Sequence, residues 1–145
     1  MSIDEKKKLL ALHRLQQAEE SLQEAHYLFA GGKSLRSVVN RIYYGMFYAI
    51  PALLIYEPYA SSKHSGVASY FNKHFVKSGL FPESLGRAFN KAFELRQRGD
   101  YREYFVLTKE QVEPLLDKAA QFIVAIGKYL QETVGLVLKN HGNDG

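Results

Sequence analysis

Three short stretches of the 145-residue chain hold side chains able to bind charge or move protons. In the first, Arg41, Tyr43, Tyr44 and Tyr48 fall within about two turns of an otherwise apolar segment. Buried aromatic rings ordinarily find one hydrogen bond for a hydroxyl and do nothing more. The same residues also suit a wall on which a nucleotide stacks, or a seam between two copies. The second stretch is Lys63-His64-Ser65-Gly66, with Asn72-Lys73-His74 further on. On a helix His64 and His74 are out of phase by about 80° and do not face one way, as a His-x-x-x-His zinc pair does. That spacing predicts no metal site, whereas Lys63 and His64 sit where a helix N-terminus offers its N–H groups to an anion. The third stretch, residues 94–104, carries Arg96, Arg98, Asp100, Tyr101 and Tyr104 around the break at Gly99. Guanidinium forks match phosphate oxygens with two hydrogen bonds. Cations at a helix C-terminus also gain about 0.3–1 kcal/mol with no ligand at all, so both readings stay open here.

The elements that must position these stretches are helices. Apolar residues recur at helical spacing through nearly the whole chain and no stretch alternates with period two, which makes the fold class all-α. A first helix is predicted over 4–30, with Leu12, Leu15, Leu22, Ala25 and Phe29 inward, Glu19, Glu20, Gln23 and Glu24 outward, and Gly31-Gly32 as its stop. Ser34 caps a second, apolar on almost every face, which therefore belongs at the centre or in a subunit contact; Pro51 is expected to kink it. Pro58 and the Ser61-Ser62 pair lead to a short helix over 63–77 with Val67, Phe71 and Phe75 inward. Pro82 suits the first turn of a fourth helix, striped by Leu85, Ala88, Phe89, Ala92 and Leu95 and closed by Gly99. Thr108 and Gln111 have capping-box spacing for a last helix, with Val112, Leu115, Ala119, Phe122, Ile126, Leu130 and Val137 inward and a first turn bent by Pro114. The polar tail 139–145 is expected to fray. Long helices with short connections pack as antiparallel neighbours, so the expectation is one domain: an up-and-down antiparallel four-helix bundle with an additional short helix.

Nineteen Lys and Arg oppose fifteen Asp and Glu, a net charge of +4. The excess is local: residues 34–102 hold ten bases and four acids, while the flanking segments are net negative. A positive middle permits a polyanionic partner, although an ordinary solvated surface also shows such a balance. The absence of Cys excludes disulfide scaffolds, thiolate metal sites and cysteine nucleophiles. The longest uncharged run, residues 45–56, is short of the roughly 20 residues a bilayer requires, so no membrane association is expected. The charged N-terminus lacks the long apolar region of a secretion signal, and the expected location is cytoplasmic. No Gly-rich phosphate loop, Gly-x-Ser-x-Gly turn or Glu-x-x-His pair occurs, and no cofactor is expected.

In order and spacing, Arg41-x-Tyr43-Tyr44-x-x-Phe47, His64-Ser65-Gly66 and Leu95-Arg96-x-x-x-Asp100-Tyr101 resemble the HEPN domain (higher eukaryotes and prokaryotes nucleotide-binding), over about residues 9–131. The resemblance implies a bundle of four antiparallel helices plus a short one, commonly paired as a homodimer and often working beside a minimal nucleotidyltransferase as a toxin–antitoxin pair. It also implies, for many members, a metal-independent endoribonuclease. There an Arg near the end of the fourth helix neutralises the scissile phosphate, and a His four to six intervening residues later handles the proton. Counted from Arg96, the permitted places hold Tyr101, Arg102 and Glu103; from Arg98 they hold Glu103, Tyr104 and Phe105. Tyr101 takes the nearest place, but a phenol with an ordinary pKa near 10 is a poor base at neutral pH. Arg96 therefore carries over as a phosphate or partner contact and the family's histidine carries over to nothing. The expectation is a binding module for a nucleotide, RNA or a nucleotidyltransferase, with Arg41, Tyr44, Lys63, His64, Arg96, Arg98 and Tyr101 as contacts. Two alternatives stand beside it: a ribonuclease rebuilt from Arg96, Asp100, Tyr101 or the histidines at 64 and 74, and a structural homodimeric adaptor.

Overall fold

Small residues set how closely the first two helices approach. The computed structural model describes residues 1–59, 61, 63–101 and 104–138, and within these all regular structure is helical. Helix α1 (Ile3–Ala30) is capped by the Ser2 hydroxyl, which accepts from the Glu5 N–H, and buries Ala11, Leu15, Ala18, Leu22 and Ala25. Helix α2 (Leu35–Leu54) lays Gly45 against α1 so tightly that a Cβ there would stand 3.2 Å from the Ala18 carbonyl oxygen. The Ser21 hydroxyl donates to the Arg41 carbonyl across 2.7 Å, which satisfies the one buried polar side chain of α1. Leu12 and Phe29, expected inward on α1, lie at the edge of the core instead, because the stripe is centred on the alanines that let α2 come near.

Helix α2 packs on α1, α3, α4 and α5, so its nearly continuous apolar surface is used inside one chain. Helices α4 (Glu83–Gly99) and α5 (Lys109–Val134) complete the bundle, with α1 and α4 at opposite corners and out of contact. The extra short helix, α3 (His64–Phe71), lies between α2 and α4 and packs on both. It does not continue as α-helix to residue 77: the chain widens into a π turn over Asn72–Val76. Phe71 and Phe75 enter the core from either side of that junction and stack with centroids 5.9 Å apart.

Prolines stand close to the helix ends, where a lost backbone hydrogen bond disturbs least. Pro51 is followed by only three more residues of α2, and Pro82 is the residue before α4, not its first. Helix α5 runs through Pro114 from a complete capping box, in which the Gln111 N–H donates to Thr108 Oγ1 and the Thr108 N–H to Gln111 Oε1. Gly135, at φ 71°, ends α5 earlier than expected. The Gly135 and Leu136 N–H groups both turn back to the Leu130 carbonyl; Leu136 is buried, and Val137, expected inward, is 80% exposed. The fraying predicted for the tail falls outside the described residues.

Candidate functional site

Helices α2 and α4 meet through aromatic rings. On α4, Phe89, Phe93 and Arg96 fall at i, i+4 and i+7, hence on one face. On α2 the facing residues are Tyr43 and Tyr44. The Tyr43 ring lies parallel to Phe89, with centroids 5.8 Å apart, and edge-on to Tyr44 at 5.3 Å. Arg96 closes the top: its guanidinium carbon is 5.1 Å from the centroids of both Tyr43 and Tyr44, and Nη2 donates to Tyr44 Oη at 3.1 Å. The rings' negative faces hold the cation while its Nε is buried without a hydrogen-bond partner among the described residues.

Helix α3 brings the imidazole. Lys63, extended at φ −92° and ψ 138°, is the residue before α3, and its N–H donates to Ser61 Oγ. Gly66 lets the incoming chain pack on the helix, since a Cβ there would come within 2.5 Å of Tyr59 Oη. His64, in the first turn, then stacks on Phe93 with ring centroids 3.6 Å apart, and its Nδ1 is 2.8 Å from Tyr43 Oη. Burial, and next the positive charge of Arg96, hold the imidazole below its ordinary pKa of 6.5, so it is neutral at pH 7. Burial pushes the Tyr43 hydroxyl up to about 12 against the smaller opposing pull of Arg96, so it remains protonated.

The other arginines in reach face carboxylates. Arg36 Nη2 is 2.9 Å from Asp100 Oδ1, Arg41 Nη1 is 3.3 Å from Glu24, and Arg98 Nη2 is 2.7 Å from Glu94. Arg96 faces none among the described residues. Arg41 is partly exposed on α2, with its guanidinium shared between Glu24 and Asn40. Asp100 ties the end of α4 to the start of α2 through Arg36 and so acts as a strut.

The residues picked out in the sequence thus divide. Tyr44, His64 and Arg96 come together, whereas Arg98 and Tyr101 border an open hollow that Arg96 also lines. His74 stacks on Tyr70 at 4.1 Å, which in turn stacks on Tyr59 at 4.5 Å, in a second group of rings on the other side of α3. Tyr43, Phe89 and Phe93 form the floor of the site; the sequence offers Tyr43 as part of a stacking wall but Phe89 only as core and Phe93 not at all. Tyr43 stands in the quoted helix-two motif, and the i, i+4, i+7 spacing of Phe89, Phe93 and Arg96 was a readable signal. No spacing within its own helix relates His64 to Arg96.

Known proteins resemble the chain along most of its length. The model of the HEPN domain matches residues 11–129. A UPF0332 protein of Thermotoga maritima is 40% identical over 130 residues, covering 90% of this chain and 97% of its own. Two proteins of Methanocaldococcus jannaschii, each named a putative toxin, are both 36% identical; the alignments cover 80% and 79% of this chain and 78% and 84% of theirs.

Proposed function

Because the chain belongs to the HEPN domain family, we propose that it is a toxin-type HEPN module that binds a phosphate of a nucleotide or RNA on Arg96. One observation carries this: the Arg96 guanidinium is fixed on two tyrosine rings with no carboxylate against it among the described residues. A cation already oriented, with its Nε buried and no anion to displace among the described residues, needs little reorganisation to take a phosphate. The toxin names of two relatives support an activity directed at another molecule. A minimal nucleotidyltransferase partner and a homodimer complete the proposal on the family resemblance. The homodimeric adaptor stays an alternative: most apolar residues of α2 pack inside the bundle, while Tyr44, Phe47 and Tyr48 are only partly buried. The test is titration calorimetry with nucleotides, a short single-stranded RNA and a nucleotidyltransferase encoded beside this chain. Binding of RNA or nucleotide that is lost in Arg96→Ala supports the proposal, and no binding to any of the three ends it.

A second reading has its own observation: a neutral imidazole, His64, shares the Tyr43 floor with Arg96. In this reading His64 takes the proton of a ribose 2′-hydroxyl, O2′ attacks phosphorus, and the P–O5′ bond breaks. The products are a 2′,3′-cyclic phosphate and a 5′-hydroxyl that takes up a proton, while Arg96 offsets the charge on the phosphoryl oxygens. Incubation of RNA with the wild type, His64→Gln and Arg96→Ala separates the two readings. Cleavage that disappears in both variants establishes the enzyme; RNA that is bound and left intact leaves the binding module.

A further inference from the structure

The Tyr43 hydroxyl oxygen stands 2.8 Å from His64 Nδ1, and the direction of that hydrogen bond decides what His64 can offer a ligand. In a neutral imidazole one ring nitrogen carries the proton and the other a lone pair, and the bond made at one fixes the state of the other. Two observations set the direction. The first is an accounting of partners. Tyr43 is 3% exposed, and among the described residues its hydroxyl has no hydrogen-bond partner except Nδ1. Were Nδ1 to hold the proton and donate it, the Tyr43 O–H would be left buried without an acceptor, which folded chains avoid. With Nδ1 as acceptor, the hydroxyl is satisfied and the remaining N–H, on Nε2, is free of the core. The second observation is the cation. The Arg96 guanidinium carbon lies 5.1 Å from the Tyr43 centroid and draws on the electrons of the ring. A phenol so polarised donates its proton to a hydrogen bond more readily and accepts one less well. Burial keeps that hydroxyl protonated at neutral pH, so it has a proton to donate.

The other ring nitrogen, Nε2, makes no hydrogen bond among the described residues and is not sealed from solvent. His64 and Arg96 lie against the same ring, the imidazole centroid being 5.6 Å from that of Tyr43. We propose that Tyr43 is a positioning residue whose hydroxyl donates to His64 Nδ1, which leaves the imidazole proton on Nε2 and makes His64 a second N–H donor for the anion held by Arg96. The tautomer stands on the geometry of this pair alone; the donor role rests on the phosphate reading above. Phe93, stacked on the imidazole with centroids 3.6 Å apart, holds the ring plane and so fixes the heading of Nε2–H. The same arrangement tells against cleavage by His64, because a general base needs its lone pair on the nitrogen that meets the substrate.

The tautomer is read by heteronuclear NMR of the labelled imidazole nitrogens at a pH well above 6.5, with the His64 signals identified by their loss in His64→Gln. The expected spectrum has the proton on Nε2 and an Nδ1 resonance displaced by its hydrogen bond. Tyr43→Phe keeps the ring and deletes the donor, so it should return that resonance to the position of a free ring nitrogen and leave the other histidines unmoved. A proton on Nδ1 in the wild type overturns the proposal without any variant, and so does an Nδ1 resonance that Tyr43→Phe does not move. The donor role is read by fluorescence anisotropy with one short single-stranded RNA. His64→Leu should weaken binding several-fold, and His64→Gln, whose amide N–H comes close to the place of Nε2–H, should recover part of the loss. Wild-type affinity in His64→Leu, or equal losses in the two variants, overturns the donor role; the phosphate reading then stands if Arg96→Ala still weakens binding. If the wild type binds no RNA, the phosphate reading fails and the donor role falls with it, whichever nitrogen holds the proton.

Discussion

Arg96 Nη2 donates to Tyr44 Oη across 3.1 Å, so the guanidinium of α4 is tied to α2 and cannot swing freely into solvent. Tyr44→Phe keeps the ring under the cation and deletes only the acceptor. A net loss of about 0.5–1.5 kcal/mol in stability is expected from one hydrogen bond, with an unchanged urea m-value. Oligoribonucleotide affinity should fall several-fold, because Arg96 then samples orientations that do not serve a phosphate. A variant as stable and as tight-binding as wild type would remove this bond from the account.

His64 makes stability depend on pH in one direction. Its pKa in the folded chain is lowered, first by burial and then by Arg96, so between the ordinary value of 6.5 and the lower folded value the unfolded chain holds more protons. Stability is therefore complete above about pH 6.5 and declines as the pH falls through that window. Urea melts at successive pH values from 7.5 to 5 should show the decline, and His64→Gln should flatten it. A wild-type profile that rises on acidification contradicts this sign.

How much of this was legible beforehand differs from element to element. The apolar circumference of α2 points to the centre or to a subunit contact, and the structure puts the helix at the centre; the α5 cap follows from the spacing of Thr108 and Gln111, which depends on neighbours within a few residues. The stop at Gly135 is not visible in the pattern, since the apolar period continues to Val137 and only a positive φ breaks it. The site was half legible. Arg96 and Tyr44 stood out by type, but the approach of His64 depends on where α3 lands after a loop, and no periodicity encodes that. The carboxylate partners of Arg36, Arg41 and Arg98 explain why neighbouring arginines that look alike in sequence differ in the fold.

Gly45 is required by the closeness of α1 and α2. With the Ala18 carbonyl oxygen 3.2 Å from a Cβ at that place, a valine has no room unless the helices part. Gly45→Val should destabilise by about 1–3 kcal/mol, as overpacking of a dense core does, seen as a lower urea midpoint. An unchanged midpoint would show that the seam opens freely.

The α5 capping box is a local contribution that leaves the site untouched. Thr108→Ala removes the oxygen that accepts the Gln111 N–H, and a loss of about 1 kcal/mol is expected. RNA affinity measured well below the melting temperature should stay within twofold of wild type. A large loss of binding would mean that the start of α5 takes part in recognition.

The central claim is that Arg96 differs from its neighbours because no carboxylate among the described residues holds it. Titration of one short single-stranded RNA into the wild type, Arg96→Ala and Arg41→Ala tests that directly. The account predicts a weakening of tenfold or more for Arg96→Ala, from the about 1.5–3 kcal/mol carried by charged hydrogen bonds, and little change for Arg41→Ala, whose guanidinium already serves Glu24. Equal losses in the two variants, or undiminished binding by Arg96→Ala, would contradict it.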